Sequence, residues 1–140
     1  MSEKPLLPPE PARRTPGHQQ VSERLGHRLA HIDLDAEIAL LRGEEVFKRV
    51  GRNSKTLVKR PDLRTVLVAI RPGAPMADHV AAGPLTVHVL KGRVRMRMKE
   101  TSVELGTGHL LALERNERHD VEAIEESAFL LTIAWPPEQP

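Results

Sequence analysis

Between Arg93 and Lys99 the chain reads RVRMRMK, and this stretch constrains the fold more than any other. Val94, Met96 and Met98 alternate without a fault with Arg93, Arg95, Arg97 and Lys99. Successive side chains of a β-strand point to opposite faces, so a period of two predicts a strand with one apolar face and one wet face. Glu100 and Thr101 can turn that strand back on Ser102 to Leu105. In the register implied by such a turn, Met98 faces Val103, Met96 faces Leu105 and Arg97 meets Glu104 on the wet side. The character of both faces agrees along the whole hairpin.

The same period recurs on either side. Thr56 to Lys59 and Arg64 to Ile70 flank a turn at Arg60-Pro61-Asp62-Leu63. Val66 to Ile70 is a continuous apolar run, which predicts a strand covered on both faces. Leu85, Val87 and Val89 share one face of a further strand, with Thr86, His88 and Leu90 on the other. Leu110 to Leu113, His119 to Ile124 and Ala128 to Ala134 supply three more. Many short strands without crossover helices predict an all-β barrel or sandwich.

The N-terminal part differs. Residues 1–20 carry Pro5, Pro8, Pro9, Pro11 and Pro16 with little to bury, and read as an extended or disordered tail. Residues 21–53 read as helical. In the first piece, Val21 to Ile32, Ser22 is a candidate cap and Leu25, Leu29 and Ile32 fall on one face. In the second, Asp33 is a candidate N-cap, Leu34, Ile38 and Leu41 form the apolar face, Gly43 breaks the helix and Gly51 ends it. The expected division is therefore a tail over 1–20, a helical segment over 21–53, a β-domain over 54–136 and a short tail over 137–140. The helices are expected outside the β-domain or across a dimer partner.

With 140 residues, the chain suits one domain with a real core. The 21 basic and 19 acidic residues leave a net charge of only +2, which makes no case for a nucleic-acid partner. The aromatic residues are Phe47, Phe129 and Trp135, so the core must be built from Val, Leu, Ile, Met and Ala, and no base-stacking platform is visible. The absence of cysteine excludes disulfides, thiolate nucleophiles, iron–sulfur clusters and Cys-ligated zinc. The opening residues are proline-rich and charged rather than signal-like, and the apolar runs are short. The expectation is a cytoplasmic protein with no membrane partner.

Two passages carry the candidate chemistry. Gly73 is followed by five residues and His79; three residues separate positions 81 and 85, and six separate 85 from Gly92. Later, Gly108 is followed by five residues, then Glu114, Asn116, His119 and Ala123 at fixed intervals. This frame resembles the two-part signature of the cupin family, across roughly residues 55–135. The resemblance implies an all-β antiparallel cupin barrel (a double-stranded β-helix, or jelly roll), here with an N-terminal helical extension. It also implies a site at the barrel mouth, where three histidines and a glutamate hold iron, manganese, nickel or zinc.

The residues match that pattern only in part. His79 and His119 stand at histidine positions, but Ala81 replaces the second histidine and Leu85 the glutamate. Glu114, Asn116 and Ala123 stand where the second motif has Pro, Gly and Asn. Asn116 suits a left-handed backbone position that Gly often fills. Two imidazoles are fewer than the three protein ligands of most catalytic sites, so no tightly held metal is expected. His88 would join His79 and His119 as a ligand only if a bulge reversed its face. The expected pocket is lined by His79, His119, Leu85, Val87 and Met96.

The reading is a small-molecule-binding cupin. The alternatives are a metal-dependent enzyme of the dioxygenase, isomerase or lyase kind, and an interaction module acting as a homodimer. Three features read more simply. His27 and His31 have metal-ligand spacing on a helix but no third ligand near them. The Arg93, Arg95, Arg97 and Lys99 row reads as a solvated strand face, partly answered by Glu104. Met96 and Met98 read as core.

Overall fold

The computed structural model describes residues 28–74 and 81–134. His79, His27, Trp135 and both expected tails lie outside the described residues, as does most of the first expected helix. The described remainder of that helix, residues 28–33, is not helical, and Leu29 is exposed rather than packed.

Two helices precede the strands, α1 (Leu34–Gly43) and α2 (Glu45–Val50). Asp33 caps α1 by accepting the Ala36 N–H at 3.2 Å. The break falls where Gly43 predicts it, at Glu44, whose backbone is extended. Gly51 ends α2 with φ of 88°, a left-handed conformation that costs glycine nothing, and its N–H donates to Phe47 O at 2.8 Å.

Among the described residues, eight antiparallel strands follow: β1 (Arg52–Arg60), β2 (Leu63–Ile70), β3 (Leu85–Lys91), β4 (Arg93–Met98), β5 (Ser102–Gly106), β6 (Leu110–Leu113), β7 (His119–Ala123) and β8 (Ser127–Ala134). They form a five-stranded sheet in the order β1-β2-β8-β3-β6 and a three-stranded sheet in the order β5-β4-β7. Alternation then decides what each side chain faces. Val68, Ile70, Leu85, Val87, Val89, Val94, Met96, Leu105, Val121 and Phe129 meet between the sheets. Leu67, Ala69 and Ala128 face outward and are covered by Ile38, Leu41 and Phe47 of the helices. The apolar run of β2 is therefore buried on both faces, as its composition predicts.

The helices are fastened to this outer face by polar contacts as well. Lys55 Nζ and Glu37 Oε1 form a 2.8 Å ion pair whose side chains are both less than a tenth exposed. Arg71 donates to the carbonyls of Phe47 and Lys48 at the end of α2, and its guanidinium lies 5.4 Å from the Phe47 ring centre. A cation is favoured there by the dipole of the helix end and by the face of the ring.

The β4–β5 hairpin departs from the expected register by two residues. Met96 pairs with Val103, Arg95 with Glu104 and Arg97 with Ser102. The Met98 N–H donates to Thr101 O, so the turn takes in both Lys99 and Glu100. A slip of two leaves every side chain on its predicted face, which is why alternation alone does not distinguish the two registers. The ion pairs do change. Arg95, not Arg97, holds Glu104 at 2.8 Å, while Arg97 reaches Asp120 and Glu122 on β7, each at 3.1 Å. The hydrogen bond to Glu104 is the chief cause that raises the Arg95 pKa. Arg93 also approaches Glu104, and Arg95 approaches Glu122. The arginine row is a cross-strand ladder with its own counter-charges, which removes the case for an anion-collecting stripe.

Candidate functional site

The two ends of the barrel differ in how the inward-facing side chains are enclosed. At the end formed by the start of β8 and the β3–β4 turn, Val89, Val94, Ile70 and Phe129 are completely buried. At the opposite end the inward side chains Val66, Met98, Val103, Leu113 and Ile133 are only partly buried. This second end is the barrel mouth, and both sequence passages arrive there.

β7 begins at the mouth with His119, directly across from Met98 on β4. His119 is on the inward phase with Val121 and Ala123, and is only 5% exposed. Its Nδ1 lies 3.0 Å from Glu117 O. A carbonyl only accepts, so in the neutral ring Nδ1 carries the proton and Nε2 carries the lone pair. A local contact two residues away thus selects the tautomer and holds the ring's orientation.

The two passages are joined by one hydrogen bond, from the Asn116 N–H to Ala81 O at 2.8 Å. Asn116 has φ of 63°, the left-handed conformation expected of it from its place in the second passage. Ala81 packs against the core from its loop, and Leu85 is 5% exposed at the first position of β3, opposite Leu113 and Ile133.

Of the expected pocket residues, His119 and Leu85 are at the mouth. Val87 and Met96 face inward but are completely enclosed, one layer deeper, where they form a packed floor. His88 is corrected outright: β3 alternates regularly from Leu85 to Val89, so His88 is on the outer face, paired with Leu110 and Leu130. The bulge of β3 falls after Val89, too late to reverse it. His109 serves a turn, where its Nδ1 accepts the Gly106 N–H at 3.1 Å. Sequence reasoning passed over Met98, Val66, Leu113 and Ile133 as mouth residues. The signal for them was an inward phase combined with a place at the same strand ends as His119.

Among the described residues, the donor set does not fit a cupin metal site. Position 85 presents a buried aliphatic side chain and position 81 a methyl group, and among the described residues no three histidine or acidic side chains converge. A groove of about 350 Å³ crosses the mouth end of the five-stranded sheet, lined by Leu63, Pro84, Leu85, Thr86, Leu113 and Thr132 among others.

No family model and no curated protein matches the chain. Solved structures do. A cupin superfamily protein from Desulfitobacterium hafniense is 13% identical, covers 61% of this chain and 78% of its own, and superposes with a TM-score of 0.58. A conserved protein of unknown function from Streptococcus pyogenes is 20% identical over 68% of this chain and 88% of its own, with a TM-score of 0.59. A cupin-2 domain protein from Shewanella frigidimarina is 15% identical over 76% and 94%, with a TM-score of 0.57. The fold is the cupin barrel, with an N-terminal helical extension packed on its five-stranded sheet. Among the described residues, no helix is long and apolar enough to cross a membrane.

Proposed function

We propose that this cupin domain binds a small, largely apolar molecule at the barrel mouth, with His119 as the polar anchor. The observation that carries the reading is a buried histidine, paired with Met98 and held through Nδ1 by Glu117 O, at the same barrel end as the partly buried Val66, Leu113 and Ile133 side chains. Ligand sites are commonly apolar concavities with a few placed polar groups. His119 supplies an imidazole at this end of the barrel, and Ala81 and Leu85 make the surroundings apolar where metal-binding cupins carry ligands. His79, at the other histidine position of the cupin frame, is proposed as a second pocket residue on that spacing and lies outside the described residues.

A metal-dependent enzyme of the dioxygenase, isomerase or lyase kind is the second reading. One observation favours it: His79 and His119 both stand at metal-ligand positions of the cupin frame. Native mass spectrometry and elemental analysis of the untagged chain, purified without added metal, separate the two. An organic adduct that disappears in His119→Ala is the expected result. Stoichiometric iron, manganese, nickel or zinc would move the assignment to the enzyme. Neither adduct nor metal, together with equal 1-anilinonaphthalene-8-sulfonate fluorescence in the parent and His119→Ala, would overturn the binding reading.

A further inference from the structure

Arg64 stands on the inward phase of the five-stranded sheet, at the level where the barrel opens. β2 pairs with β8 as Arg64 with Ile133, Val66 with Leu131 and Val68 with Phe129, and all three β8 residues belong to the core between the sheets. Residues paired across a ladder share a face, so Arg64 enters the barrel beside Ile133. Ile133 pairs in turn with Leu85, and Leu85 with Leu113. The inward row at this level is therefore a guanidinium followed by three aliphatic side chains. Charged side chains are seldom found on the core side of a strand. Arg64 is half-buried there, with its Nε enclosed. Lys59, its partner on β1, adds a second cation to the row and is exposed at the sheet edge.

The links between strands set which parts of the two sheets face each other. β3 and β4 are joined through Gly92, β5 and β6 through residues 107–109, and β7 and β8 through residues 124–126. Links this short keep their two strands across the barrel from one another, so β7 lies opposite β8. His119 begins β7 and Ile133 lies near the end of β8, at the same end of the barrel. Arg64 is one strand spacing from Ile133, about 4.8 Å along the sheet. Arg64 and His119 thus border one opening from its two walls, in the company of the aliphatic row and Met98.

We propose that the molecule bound at the mouth is an apolar carboxylate, whose anionic group Arg64 holds while its body covers Ile133, Leu85 and Leu113. This names the ligand class of the small-molecule reading above and rests on it. A guanidinium presents a planar fork that matches a carboxylate with two parallel hydrogen bonds. It has five N–H donors, so a contact within the protein leaves others for a ligand. The aliphatic row lowers the local dielectric, which strengthens a charge-assisted bond made there. Lys59 raises the positive potential on the same side and draws an anion towards it.

Isothermal titration calorimetry on the full chain tests it with two probes, naphthalene-2-carboxylate and 2-naphthylmethanol, which match in shape and differ in charge. The parent is expected to bind the carboxylate at least about tenfold more tightly than the alcohol. Arg64→Gln should erase that preference while changing alcohol binding by no more than about twofold. Arg64→Lys keeps the charge without the fork and should restore part of the preference. His119→Ala should weaken both probes alike. Equal affinity of the parent for the two probes is a result that needs no variant to fold, and it would overturn the inference while leaving the small-molecule reading in place. A carboxylate preference that survives intact in Arg64→Gln would do the same. Binding of neither probe would count against both.

Discussion

Gly92, Arg93 and Ser127 close one end of the barrel; His119, Met98 and the Ala81–Asn116 contact frame the other. At the closed end Ser127 is completely buried, and its Oγ accepts the Arg93 N–H at 2.9 Å while its single proton serves the carbonyls of Glu125 and Arg93 at 2.7 and 3.1 Å. Gly92 turns the chain with φ of 87° against this serine, and a Cβ there would overlap Ser127 Oγ and Glu126 O. Phe129 fills the core beneath. The mouth has the same inward alternation, but among the described residues it ends in Val66, Met98, Val103, Leu113 and Ile133 side chains that are only partly buried. The two ends of one barrel are thus packed to different degrees.

Three substitutions probe that contrast by chemical denaturation. Phe129→Ala, in the closed half, should cost about 4 kcal/mol, because a large buried ring leaves a cavity that strands on both sides hold open. Gly92→Ala should cost about 3 kcal/mol, through a left-handed backbone position combined with overlap against buried groups. Met98→Ala, at the mouth, should cost only about 1 kcal/mol, since its side chain is already partly solvated. It should also alter whatever adduct His119 retains. If Met98→Ala proved as costly as Phe129→Ala, the mouth would be as tightly packed as the closed end and the comparison would fail.

Local structure was legible wherever the physics is local. Asp33 as a cap, the break after Gly43, the left-handed Gly51 and Asn116, and the faces of β3 and β4 all follow from a few neighbouring residues. Pairing was less legible. The hairpin slipped by two because both registers satisfy the same alternation. Asp120 and Glu122 could not be matched to Arg97 from spacing, since β5 and β6 lie between β4 and β7 in sequence although β7 pairs directly with β4. The Glu37–Lys55 pair likewise joins a helix to a strand, and nothing in either segment marks the other.

The candidate site divides in the same way. Spacing placed His119 at a histidine position of the cupin frame, and the strand pairing sets it beside Met98 on the inward phase of β7. Spacing also nominated Val87 and Met96, which share that inward face but lie beneath the layer a ligand could touch. Period-two patterning determines which side of a sheet a residue faces, because that depends only on adjacent peptide units. Depth along the barrel, the open end and the partner of each charge depend on how distant strands stack. The amino-acid sequence by itself therefore determined the strands, their faces and the cupin-like frame. Only the tertiary structure decided the register, the counter-charges and which end of the core stays open.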